Sequence, residues 1–103
     1  MSRLEDSLLF QIRAVGLLEP EREVMFARPR RWRADFLWSD AMLICEVQGA
    51  TWVQGRHSRG KGYQSDCEKL NRAQQLGYKY LKVTSDHVTS GYAIELLETF
   101  LRA

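Results

Sequence analysis

Residues 33–48, RADFLWSDAMLICEVQ, read as a strand, a tight turn at Ser39-Asp40 and a second strand. Asp35 falls inside the first strand. Glu46 and Gln48 close the second, after the apolar run Met42-Leu43-Ile44-Cys45. Alternate residues of a strand share a face, so Glu46 and Gln48 point the same way. Acids seldom end a buried run unless something pairs with them. A bound cation is one such partner and an arginine is another.

Outward from this hairpin the chain alternates helices and strands. Ser2 and Glu5 fit a capping box, and Leu4, Leu8, Ile12 and Val15 recur at helical spacing, which predicts a helix over 3–15 stopped by Gly16. After Pro20, residues 23–27 read as a first strand, 31–38 as the second and 42–48 as the third. Residues 49–62, GATWVQGRHSRGKG, are too glycine-rich for a regular element and read as a loop. They are not a nucleotide-binding phosphate loop, because Gly60-Lys61 is followed by Gly62.

A second helix is expected from Tyr63 or Ser65 to Leu76, capped by Ser65 and Glu68, with Tyr63, Cys67, Leu70, Ala73 and Leu76 inward. Residues 78–83 make a fourth strand. A last helix opens at Thr89 or Ser90, with Ile94, Leu97 and Leu101 inward and Leu96 and Phe100 on its flanks. The fold class is therefore α/β, in the order helix, three strands, helix, strand, helix. The first three strands suit an antiparallel meander. The fourth joins through a helix and so runs parallel to the third by a right-handed crossover.

At 103 residues the chain suits one domain, residues 1–103. Its 45% hydrophobic and 27% charged residues belong to a soluble globular class, expected in the cytoplasm. No apolar run approaches the roughly 18–20 residues of a membrane span, and the N-terminus is not a signal peptide. Cys45 and Cys67 form no metal-type pair and read as reduced, buried thiols.

The net charge of +2 is mild, but its distribution is not even. Arg28, Arg30, Arg31 and Arg33 form one acid-free cluster, and Arg56, Arg59 and Lys61 form another beside His57. Such clusters suit phosphate backbones, and equally a solvated face or internal ion pairs.

Asp35 and Glu46 on neighbouring strands make a hard-oxygen pair suited to magnesium. A metal there activates water against a phosphodiester, and Gln48 adds a ligand or orients that water. Each residue also has a plainer reading. Asp35 can pair with Arg31 or Arg33, Gln48 can satisfy backbone groups, and Glu5 can serve only the capping box. His57 is a phosphate contact, a general acid or an idle surface group. Lys69 can pair with Asp66 one turn away. Trp32 and Trp38 read as core, and Trp52 either stacks on bases or packs under its loop. His87 has no evident partner.

Asp35, then Glu46-Val47-Gln48 eleven residues on, resembles the motif of the PD-(D/E)XK nuclease superfamily. The likeness is carried by residues 31–36 (RWRADF), 46–49 (EVQG), 55–60 (GRHSRG), 66–71 (DCEKLN) and 76–83 (LGYKYLKV). Within that superfamily the chain is similar to small phage and bacterial endonucleases related to very-short-patch repair endonucleases, and to Holliday junction resolvases. The resemblance implies a restriction-endonuclease-like αβββαβα core, a mixed four-stranded sheet flanked by helices. It implies a magnesium-dependent DNA endonuclease, with manganese as a substitute, of recombination and repair in a bacterial or phage-infected cell.

On the same resemblance, Asp35 and Glu46 are metal ligands, Glu5 matches an N-terminal helix glutamate that joins the site, and His57 matches a histidine after the core strands. Arg30, Arg31, Arg33, Arg56, Arg59 and Lys61 hold DNA phosphates. A homodimer suits a chain this small cutting two strands. Two departures stand out. Ala34 replaces a proline, and Gln48 replaces the family lysine, so position 48 carries no charge and no base. The missing cation comes from Lys69 or Lys61, or the metal acts alone, or the domain binds DNA without cutting it.

Overall fold

The computed structural model describes residues 3–49 and 61–102. Helix α1 (Arg3–Ala14) is followed by strands β1 (Glu21–Met25), β2 (Arg33–Trp38) and β3 (Leu43–Gln48). Helix α2 (Lys61–Gln75), strand β4 (Lys79–Thr84), and helices α3 (Ser85–Ser90) and α4 (Tyr92–Leu101) complete the chain. The four strands form one sheet in the order β1-β2-β3-β4. β1, β2 and β3 pair antiparallel, and β4 pairs parallel to β3. The expected α/β architecture, a mixed four-stranded sheet flanked by helices, is the one observed.

The sheet is covered on both faces. Phe36, Trp38, Leu43, Cys45 and Val83 pack against Leu8, Ile12, Val88, Ala93 and Leu97 of α1, α3 and α4. On the other side Leu37 and Ile44 meet Ala73 of α2. A strand buried on both faces reads as a continuous apolar run, which is why β3 begins Leu43-Ile44-Cys45. Trp38 is fully buried and satisfies its indole by donating Nε1–H to the Leu18 carbonyl at 2.7 Å. Among the described residues no helix is long and apolar enough to cross a membrane.

Several boundaries move from their sequence positions. β1 runs Glu21–Met25 rather than 23–27, because pairing of Glu21 with Leu37 sets its start. β2 starts at Arg33 rather than 31. β3 starts at Leu43, because Met42 takes φ 50° to close the hairpin turn and cannot extend. Helix α2 starts at Lys61, so Ser65 lies inside it and accepts from Trp32 Nε1–H at 3.3 Å instead of capping. Tyr63 is 60% exposed rather than inward. Val15 is exposed too, and Leu9 takes its place in the core. Cys45 is buried as expected, but Cys67 is only half-buried; both are free thiols.

The last helix is two helices broken at Gly91. Thr84 opens α3 through a capping box with His87: His87 N–H donates to Thr84 Oγ1 at 3.2 Å, and Thr84 N–H donates to His87 Nδ1 at 3.1 Å. That box is the partner His87 lacked in the sequence. Gly91 has φ 90°, and a Cβ built there meets nothing within 4 Å. Only backbone strain therefore opposes a side chain at this position. Gly91→Ala is expected to lower the unfolding free energy by about 1 kcal/mol, read as a lower urea midpoint at unchanged slope. An unchanged midpoint would show that the α3–α4 break tolerates another conformation.

Candidate active site

The β2–β3 register pairs Phe36 with Cys45, Leu37 with Ile44 and Trp38 with Leu43. The next step places Asp35 opposite Glu46, and there the backbone ladder stops. Two side chains replace it. Glu46 Oε2 accepts the Asp35 N–H at 2.9 Å, and Asp35 Oδ2 accepts the Val47 N–H at 2.9 Å. β1 gives way at the same level: its pairing with β2 skips Glu23, which lies opposite Asp35 and takes φ 52°. The sheet thus opens around Asp35, and each carboxylate satisfies a backbone donor of the other strand.

Glu46 is buried, and its second oxygen is also occupied. Oε1 accepts the Tyr80 hydroxyl at 2.9 Å and is in contact with the Lys69 ammonium. Lys69 thus reaches from α2 to the buried carboxylate, and it pairs with Glu46 rather than Asp66. A buried carboxylate held by three donors is oriented rather than free to rotate. Burial pushes the Tyr80 hydroxyl well above its ordinary range, and the charge of Glu46 adds to this. Burial also pushes up the Cys45 thiol beneath the site, which is inert packing.

Asp35 is pushed up to about 6 from its ordinary 3.8. Burial is the largest cause, and the negative charges of Glu46 and Glu5 add to it; the Val47 N–H and Lys69 oppose it. Glu5 therefore acts on Asp35 through charge, while its carboxylate is bonded to Arg22 at 3.2 Å. Its expected capping partner, Ser2, lies outside the described residues. Three carboxylates (Glu5, Asp35, Glu46) against two cations (Arg22, Lys69) sum to −1 over these side chains.

Among the described residues no group of three or more His, Cys, Asp or Glu converges as a metal-ligand set. Asp35 and Glu46 still bring together two carboxylates, the ligand type magnesium takes while completing its shell with water and phosphate oxygens, and Asp35 Oδ1 is the oxygen of the four with no hydrogen bond given above. The raised pKa of Asp35 is what a cation would reverse.

Gln48 lies two residues beyond Glu46 and lines a cleft of about 400 Å³ between α2 and the ends of β3 and β4. On the opposite flank of α2, Arg28, Arg30, Arg72 and Trp32 line a groove of about 360 Å³. Arg30 stacks over the Trp32 ring at 3.7 Å and pairs with Glu68 at 3.5 Å, and Arg33 pairs with Glu23 at 3.6 Å. Trp32 therefore belongs to this groove and not to the core. Arg31 is exposed. His57, Arg56, Arg59 and Trp52 lie outside the described residues, and Lys61 begins α2.

Sequence reasoning missed Tyr80 and Arg22. The alternation of YKYLKV puts Tyr78, Tyr80 and Lys82 on one face, but only the parallel register, Ile44 beside Tyr80 and Glu46 beside Lys82, brings that face to the carboxylates. No family model matches the chain, and comparisons with curated proteins and with solved structures return no significant match.

The raised Asp35 pKa makes stability depend on pH. The folded chain holds this proton more tightly than the unfolded chain does. The contribution is fully present below about pH 4 and is lost as pH rises through about 6. Asp35→Asn keeps an acceptor for Val47 N–H and removes the charge. Without metal it is expected to be more stable than the wild type at pH 7.5 by on the order of 1 kcal/mol, discounted for a half-buried group. The gap should close as the pH falls towards 4. Urea midpoints across that range check it, and parallel curves for the two proteins would rule it out.

Proposed function

We propose that this domain is a metal-dependent DNA endonuclease of the PD-(D/E)XK type. The observation that carries the reading is Lys69. It restores, from α2, the cation that Gln48 cannot supply, and sets it against Glu46 opposite Asp35. The carboxylates have a structural task in the opened ladder, but Lys69 adds little to it, since buried ion pairs are weak stabilisers.

In this reading Asp35 and Glu46 hold magnesium, with manganese as a substitute. The bound ion supplies a polarised phosphodiester and an activated water. Tyr80 and the Asp35 N–H fix the orientation of Glu46. The Lys69 ammonium stabilises negative charge growing on the phosphoryl oxygens. Glu5, through its charge on Asp35, strengthens the cluster's demand for a cation. Gln48 orients water or the DNA at the mouth of the cleft.

The arginine groove holds backbone phosphates. Its ion pair, Arg30 with Glu68, is half-exposed, as is the pair of Arg33 with Glu23 on the strands nearby, and such pairs are worth little enough to be exchanged for phosphate. Arg31, Arg56, Arg59, Lys61 and His57 extend that contact on the resemblance alone. The activity belongs to branched-DNA processing or mismatch nicking in bacterial or phage recombination and repair, in the cytoplasm, with a homodimer cutting two strands.

A second reading rests on the same network. Glu46 has both oxygens occupied by protein donors, as suits a DNA-binding module that no longer cuts.

Cleavage of labelled four-way junction, mismatched, nicked and plain duplex DNA separates the two readings. The wild type is expected to cut with magnesium or manganese and not with EDTA. Glu46→Ala and Lys69→Ala are each expected to lower the rate by about 10²-fold or more. Adding Gln48→Lys to Lys69→Ala should recover part of the loss, with circular dichroism confirming the fold. Binding without cutting under every metal condition selects the module instead.

A further inference from the structure

The cleft beside the carboxylates differs in kind from the arginine groove. It is formed by the first turns of α2, standing off from the ends of β3 and β4. Tyr63, Asp66, Cys67 and Leu70 line it from the helix, and Gln48, Tyr80 and Lys82 from the strands. Tyr80 is shared with the site, since its hydroxyl donates to Glu46. The cleft and the carboxylates are therefore contiguous.

Its chemistry does not suit a phosphate. One lysine is set against one aspartate, so its charged lining sums to zero. The arginine groove, by contrast, sets three arginines against one glutamate. What the cleft offers instead is an aromatic face, with Tyr63 60% exposed at its wall. Around it stand a Gln amide with both donor and acceptor, a carboxylate acceptor and an ammonium donor. An exposed tyrosine over a mixed polar floor suits a planar heterocycle with hydrogen-bonding edges. A volume of about 400 Å³ lies at the small end of ligand pockets. It is ample for one base.

We propose that this cleft takes a single unpaired nucleobase of the DNA next to the phosphodiester to be cut. The inference rests on the nuclease reading and names its substrate class: DNA with an unstacked nucleotide, rather than uninterrupted duplex. Tyr63 stacks on the base, Gln48 and Asp66 meet its edge, and Lys82 reaches the adjoining phosphate. The unpairing cost is smallest where the DNA is already bulged, mismatched or branched, and this makes the cleft selective for such structures.

Fluorescence anisotropy with metal chelated tests it, using a duplex with one extra unpaired nucleotide and its fully paired counterpart. The wild type is expected to bind the bulged duplex about tenfold more tightly, the scale of one base–aromatic stack. Tyr63→Ala should abolish that preference and Tyr63→Phe should keep it, since the ring and not the hydroxyl does the stacking. Lys82→Ala should weaken binding of the bulged duplex. Cys67 gives an independent readout, because Cys45 is buried and Cys67 lines the cleft. The bulged duplex should protect it from thiol labelling more than the paired one does.

Metal-dependent cutting with no bulge preference, or with a preference that Tyr63→Ala leaves intact, overturns the base pocket and leaves the nuclease standing. A Tyr63-dependent preference in a protein that never cuts supports the pocket and removes the nuclease. No binding of either DNA overturns both.

Discussion

The exchange of backbone donors between Asp35 and Glu46 is the constraint on which this molecule turns. At that level β2 and β3 no longer pair through their main chains. The Asp35 and Val47 N–H groups would be left unsatisfied without the two carboxylates. Each acid therefore has a structural task, and each is held in place by it. Because the bond is reciprocal, neither carboxylate can turn away without orphaning a donor on the other strand. The site is rigid for the same reason that the sheet can open there.

The layers outside follow from this opening. Lys69 and Tyr80 converge on Glu46 from α2 and β4, so the helix face and the parallel strand are both tied to one buried carboxylate. Burial would make that charge costly, and three donors offset the cost. Asp35 has less compensation: one backbone donor, and the like charges of Glu46 and Glu5 nearby. Its carboxyl is accordingly held near 6. That asymmetry leaves one acid fully satisfied and the other short of positive charge.

The helix that carries Lys69 also divides the surface. On one flank Arg30 lies over Trp32 in a groove that Arg28 and Arg72 also line. On the other an exposed tyrosine fronts a cleft of mixed polar and apolar lining whose charges balance. The two surfaces lie on opposite flanks of α2, a helix width apart.

Much of this was legible in the sequence. The apolar run ending in Glu46, the hairpin turn and the helical stripe of α1 determined the element order, and the helix between the third and fourth strands determined the mixed sheet. Pattern is local, and these elements follow it because their burial is set by their own periodicity. Asp35 and Glu46 were legible as a pair because antiparallel register converts sequence spacing into facing positions. Partners from distant segments were not. Tyr80, Arg22 and the choice of Glu46 over Asp66 by Lys69 depend on the β3–β4 register and on how α2 lies over the sheet, which no local pattern encodes. The break at Gly91, the Thr84–His87 cap and the exposure of Tyr63 were decided in the same way. The cap and the break are contacts of near neighbours, but residues 85–90 are held as a helix with Val88 seated in the core, a property of the packed molecule and not of the chain.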